Sequence, residues 1–155
     1  MIQVSPLCTG DKAPAFLTTD EQGREFSYKS LMGQRYRLYF YPRDNTPGCT
    51  AQACGFRDLW NEFKKKKTTI LGISGDSALS HQKFVRKFEL PFPLLVDEDN
   101  KIARAFGVWG EKKFMGKTYE GIHRTSFLIN ESGQIEKAYH KVKAKDNPAE
   151  TLNDL

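Results

Sequence analysis

Apolar positions occur along this chain in short clusters whose spacing changes from two to about 3.6 and back. Residues 16–19 and 25–27, separated by the polar Asp20-Glu21-Gln22-Gly23, predict a small hairpin. Residues 1–14 before it, with Pro6, Gly10 and Pro14, predict an irregular lead-in. The aromatic-rich run at 35–41, stopped by Pro42, predicts a buried strand. Then the period becomes helical. Thr46 fits an N-cap and Pro47 the first helical position, and Phe56, Leu59, Trp60 and Phe63 follow at i, i+3, i+4 and i+7. One helix is predicted, running into the lysines at 64–67.

Further along, residues 69–74 and 93–96 predict core strands, and Ser77 caps a predicted helix bearing Phe84, Val85 and Phe88. Ile102, Ala103 and Phe106 mark a short helix. Residues 107–123, rich in Gly and Lys, predict a loop; residues 125–130 and 134–140 predict a closing hairpin, and a short, only partly formed helix is predicted after Pro148. Strands alternating with helices predict an α/β fold, with parallel strands in a sheet covered on both faces. No linker or repeat interrupts the 155 residues, so a single domain over 1–155 is expected.

Composition excludes more than it suggests. At 39% hydrophobic and 28% charged, the chain is neither disordered nor fibrous. No stretch approaches the roughly 18 apolar residues of a membrane helix. The opening Met1-Ile2-Gln3-Val4-Ser5-Pro6 has neither a basic nor an apolar region of an export signal, so a cytoplasmic location is expected. The net charge of +5 arises from 24 Lys and Arg against 19 Asp and Glu. Its only dense run, at 64–67, falls in a helix's last turn, where cations face the negative end of the dipole. It is read as a solvated face and not as a nucleic-acid surface.

Three cysteines, Cys8, Cys49 and Cys54, are too few and too odd in number for a secreted disulfide scaffold. Cys49 falls in the first turn of the predicted helix, directly after a core strand. Unpaired backbone N–H groups and the positive end of the dipole there favour a thiolate, the nucleophilic form of cysteine. Thr46, three residues earlier, is placed to accept a hydrogen bond from the Cys49 N–H. Cys54 lies five residues on. The histidines, His81, His123 and His140, share no ligand spacing with the cysteines, so no metal site is predicted. In an intact helix the Cα atoms of i and i+5 are about 8–9 Å apart and about 140° apart in direction, beyond the roughly 7 Å reach of a disulfide. A bond between Cys49 and Cys54 therefore needs local unwinding, which points to a transient bond in a redox cycle.

Pro42-x3-Thr46-x2-Cys49 matches the peroxiredoxin active-site signature, and residues 39–58 closely resemble the bacterioferritin-comigratory/peroxiredoxin Q branch. The resemblance extends from Gly10-Asp11-Lys12-Ala13-Pro14 through Gly72-Ile73-Ser74, Phe92-Pro93-Leu94-Leu95 and Trp109-Gly110-Glu111-Lys112 to Arg124-Thr125-Ser126-Phe127, nearly the whole chain. It implies a thioredoxin-like fold with a mixed central sheet and helices on both faces. It also implies thiol-dependent reduction of hydrogen peroxide and organic hydroperoxides. Cys49 would be the peroxidatic cysteine, Cys54 the resolving one, and Thr46, Pro42 and Arg124 the groups around the peroxide. No metal, haem or flavin cofactor is implied. The reductant would be thioredoxin or a glutaredoxin-like dithiol, and the protein a monomer without nucleic-acid or membrane partners. Arg43 stands where the family commonly has lysine, Cys8 is extra to the motif, and the chain stops at Leu155, early for the family's last helix. Two rival readings fit less well. A disulfide oxidoreductase would want Cys-x-x-Cys, and a basic binding module would have to use Trp60 and Phe63, which lie on the helix's apolar face.

Overall fold

The opening alternation folds as read: β1 (Leu17–Thr19) and β2 (Glu25–Ser27) pair antiparallel, Leu17 opposite Ser27. The computed structural model describes residues 3–155, so Met1 and Ile2 of the predicted lead-in, and that part of the export-signal reading, lie outside the described residues. The aromatic strand β3 (Arg35–Phe40) is the middle of a five-stranded sheet. On one side it pairs parallel with β4 (Thr68–Ser74), which pairs parallel with β5 (Leu94–Val96). On the other it pairs antiparallel with β8 (Thr125–Ile129), followed by β9 (Ile135–Tyr139). The sheet is thus mixed, as the resemblance implies.

Alternate side chains of β3 enter opposite cores, because successive residues of a strand point to opposite faces. Tyr36, Leu38 and Phe40 pack with Phe106, Phe127 and Ile135 beneath α4 (Lys101–Ala105). Tyr39 and Tyr41 pack with Phe56, Phe63, Phe84 and Phe92 beneath α1 (Pro47–Asp58), α2 (Trp60–Lys65) and α3 (Ala78–Phe88). Ser77 caps α3 by accepting the Ser80 N–H at 3.2 Å, as predicted. Among the described residues no helix is long and apolar enough to cross a membrane.

Two expectations need correction. The single helix from Pro47 to the lysines is two, because Leu59 leaves helical geometry at φ −100 and ψ 7. Phe56 and Phe63 are both fully buried on either side of the break, and Lys64 and Lys65 stand in the last turn of α2. The predicted loop at 107–123 is a hairpin of β6 (Trp109–Phe114) and β7 (Lys117–Ile122), with Phe114 opposite Lys117. Its turn, Met115-Gly116, has both residues at positive φ (50 and 78), the geometry that matches the twist of a two-residue hairpin. Most of its side chains face solvent, so it lacks the apolar alternation that would reveal a strand.

The chain ends in α5 (Asn147–Asn153), which packs across α1. Gly55 makes the approach possible: a Cβ there would lie 2.8 Å from Pro148 Cγ. Gly55→Ala is therefore expected to push α5 away and cost about 1–3 kcal/mol of stability. Urea unfolding of the variant checks this, and an unchanged midpoint would contradict the packing.

Candidate active site

Strand register builds the site. Phe40, the last residue of β3, pairs with Thr125, the first of β8. The turn leaving β3, from Tyr41 to Thr46, and the residue entering β8, Arg124, therefore lie at the same edge of the sheet. Pro47 begins α1, and Cys49 occupies its first turn, 2% exposed. Arg124 Nη2 donates to Cys49 Sγ at 3.1 Å. Guanidinium stays charged at any physiological pH, so this contact and the helix N-terminus both set positive charge against the sulfur. Gly48 leaves room for the contact, since a Cβ there would stand 3.3 Å from Nη2.

The other arm of the guanidinium is held from behind. Arg124 Nη1 donates to Gln52 Oε1 at 2.6 Å, and Gln52 Nε2 donates to Asn147 Oδ1 at 3.0 Å. Gln52 and Asn147 are wholly buried. Because the Gln52 amide hydrogens are directed to Asn147, its carbonyl oxygen is left to face the arginine. Neither residue was singled out from sequence. Gln52 follows Cys49 by one helical turn, a spacing that puts the two on one face. Nothing local, however, marks Asn147, 95 residues away, as its partner.

The other predicted residues are placed as follows. Thr46 is the N-cap by position, but its side chain does not cap: the hydroxyl donates to the Arg43 carbonyl at 2.9 Å, not to or from Cys49. With its proton committed there, the oxygen has acceptor capacity left. Pro42 follows Tyr41, one residue beyond the end of β3, and is half-buried. Cys54 lies on α1, which is helical from end to end, so the two cysteines stand five helical residues apart; all three thiols are free. Cys8 is exposed in the lead-in.

Two residues missed in the sequence join them. The Tyr39 hydroxyl is buried without a hydrogen-bond partner. Burial first, and then the nearby Cys49 sulfur and Asp44 carboxylate, hold its pKa well above the ordinary phenol value, so it stays a protonated donor. Lys112 of β6 donates to the Ile122 carbonyl at 2.9 Å. Burial and then Arg124 lower its pKa, while Cys49 opposes the shift. With Pro6, His123, Arg124, His140 and Val142 it lines a cleft at the site. Among the described residues, one cluster, Asp44, Asp76 and His81, brings possible metal-ligating atoms together. Its carboxylates already accept protein donors, and both His81 nitrogens face oxygen atoms of the chain.

Residues 9–138 match the AhpC/TSA family. Peroxiredoxin Bcp of Escherichia coli (strain K12) is 47% identical over 152 residues, covering 98% of this chain and 97% of that protein. Peroxiredoxin Bcp of Bacillus subtilis (strain 168) is 46% identical over 146 residues, covering 94% and 93%. Among solved structures, a cysteine mutant of Xylella fastidiosa PrxQ superposes with a TM-score of 0.91 at 32% identity, over 97% of this chain and 96% of that one. Xanthomonas campestris bacterioferritin comigratory protein, solved as trapped intermediate/ligand complexes bearing on its alkyl peroxide reduction, gives 0.86 at 34% identity over 98% and 96%.

Gln52→Leu keeps volume but strands two polar partners, the half-buried Arg124 Nη1 and the buried Asn147. It is expected to cost about 1–3 kcal/mol and to slow alkylation of Cys49 by iodoacetamide severalfold at neutral pH. Alkylation at the wild-type rate would show that Arg124 needs no support.

Proposed function

Because the chain belongs to the AhpC/TSA family, in its peroxiredoxin Bcp and PrxQ branch with the thioredoxin-type fold, we propose that residues 1–155 form one domain reducing hydrogen peroxide and organic hydroperoxides to water and alcohols, with Cys49 peroxidatic and Cys54 resolving. The observation that carries this reading is the 3.1 Å contact of Arg124 with a cysteine in the first turn of α1.

The chemistry is an in-line displacement. Cys49 sulfur attacks the terminal oxygen of ROOH; an S–O bond forms as the O–O bond breaks, and the electron pair leaves with RO⁻, which takes a proton to become ROH. The transferred oxygen keeps its hydrogen, so Cys49 becomes a sulfenic acid. Charge moves from sulfur to the departing oxygen, and a donor fork already aimed at the sulfur can follow it there. Arg124 is that fork, pre-set by Gln52 and Asn147. Thr46, with its proton on Arg43, accepts the peroxide O–H and so orients the O–O bond. Pro42 closes the turn over the sulfur and keeps water from it. The cleft beside Arg124 gives an organic R group apolar contact through Pro6 and Val142.

Resolution follows when Cys54 sulfur attacks the Cys49 sulfenic acid; an S–S bond forms and the hydroxyl leaves as water. Both thiols belong to one chain, which supports a monomer needing no second subunit to resolve. A thioredoxin or glutaredoxin-like dithiol then reduces the bond by exchange. Such a cycle suits antioxidant defence in the reducing cytoplasm, and no step calls on nucleic acid or a membrane.

Cys49→Ser should abolish peroxide turnover with a thioredoxin system, and Cys8→Ser should leave it nearly intact. Arg124→Ala should lower the second-order rate by about tenfold or more. Peptide mapping of peroxide-treated wild type should find Cys49 joined to Cys54. Substantial turnover by Cys49→Ser, or a bond from Cys49 to Cys8 or to another chain, would overturn these assignments.

A further inference from the structure

We infer that His81 is a positioning residue for the peroxide reaction: as an imidazolium paired with Asp44, it fixes the turn at 42–46 that presents Cys49. The inference rests on the reading of Cys49 as a peroxide-reducing thiol and adds a residue outside that site's contacts.

The argument is a count of hydrogens. His81 is fully buried on α3. Its Nδ1 lies 2.7 Å from Asp44 Oδ2 and its Nε2 lies 2.8 Å from the Leu95 carbonyl of β5. Both partners are acceptors. A neutral ring has one N–H, so either tautomer would set a nitrogen lone pair against an oxygen lone pair inside the protein. One more proton on the Nδ1–Oδ2 line satisfies both contacts. Asp44 keeps that proton on the ring, because its carboxylate also accepts the Tyr41 hydroxyl at 2.6 Å and the Ser80 hydroxyl at 2.8 Å.

Charged and titratable groups face the ring from each element around it. Tyr41 lies at the end of β3, Asp44 in the turn, Asp76 beyond β4, and β5 contributes only the carbonyl. Burial pulls the ring's pKa down, but the hydrogen bond and charge of Asp44, then Leu95 and Asp76, outweigh it and hold the pKa above the ordinary 6.5.

Asp44 stands midway between Pro42 and Thr46, and it is fixed on both sides. Its backbone N–H donates to Asp76 Oδ2 at 2.8 Å, while its carboxylate holds α3 through Ser80 and His81. The next residue, Asn45, takes the left-handed φ of 58 that the turn requires, a conformation asparagine adopts more readily than other non-glycine residues. Lys87 of α3 reaches its side chain at 3.3 Å. The turn that sets the start of α1 is thus clamped to α3. Once the ring is neutral it has one N–H for two acceptors, so either the Asp44 carboxylate or the Leu95 carbonyl faces a lone pair, and the tie between the turn, α3 and β5 weakens. The sign follows: a raised histidine pKa contributes stability at low pH that is lost as pH rises through the folded-state value.

The test uses the full chain. In wild type, the ring ¹⁵N signals of His81 should pass through a doubly protonated imidazolium and titrate with a midpoint above that of histidine in the urea-unfolded chain. Single-turnover oxidation of Cys49 by hydrogen peroxide should fall about tenfold in His81→Leu. His81→Asn, whose amide N–H can replace Nδ1–H on Asp44 without titrating, should restore most of the rate and remove its alkaline decline. A wild-type rate in His81→Leu at every pH, a ring midpoint no higher than in the unfolded chain, or an Asn variant no better than Leu overturns the inference while leaving the peroxidase reading standing. Wild-type Cys49 inert to peroxide overturns both. If His81→Leu fails to fold, the Asn pH profile and the ring spectrum still decide.

Discussion

A guanidinium 3.1 Å from a cysteine sulfur at a helix start makes demands that the rest of the fold meets. The arginine must arrive from a different strand than the one feeding the helix, which requires β8 antiparallel beside β3. It must not swing away, which requires an acceptor behind it, and Gln52 supplies one. Gln52 in turn must be buried and directed, which requires α5 to bring Asn147 across α1. At Gly55 a side chain would collide with Pro148, and at Gly48 it would crowd the Arg124 guanidinium. The C-terminal helix is thereby part of the same hydrogen-bonded line as the sulfur.

In the proposed redox cycle, the helix bearing Cys49 satisfies one half at the expense of the other. Keeping the sulfur at the positive end of α1 requires helical backbone through the first turns. Bonding to Cys54 requires that backbone to open, because the five intervening steps of α1 turn the two side chains about 140° apart. The folded form is held by the buried face of Cys49, Gln52, Ala53 and Phe56 and by the α5 contact.

Sequence patterns revealed what local chemistry encodes. The β1–β2 hairpin, the strand before Pro42, the Thr46-Pro47 helix start and the Ser77 cap each have a signal within a few residues, and each is present. So is the mixed sheet that the resemblance implies. The β6–β7 hairpin was missed because its two faces are both largely solvated, leaving only Met115-Gly116 as a turn signal. The break at Leu59 was missed because the apolar spacing continues through it. Partners such as Gln52 and Asn147, or Asp44 and His81, are polar residues that become buried together only after the sheet forms, and no window of sequence joins them. Thr46 shows the same limit at short range: its hydroxyl had two backbone choices, and Arg43 won.

The central claim is that α1 is intact when Cys49 is reduced and opens when Cys49 is joined to Cys54. Hydrogen exchange of the reduced and peroxide-oxidised protein, followed residue by residue along α1, tests it directly. Amides from Thr50 to Arg57 should be protected in the reduced form, lose protection on oxidation and regain it with dithiol, while β3 and β4 stay protected throughout. Equal protection of α1 in both states would contradict the account.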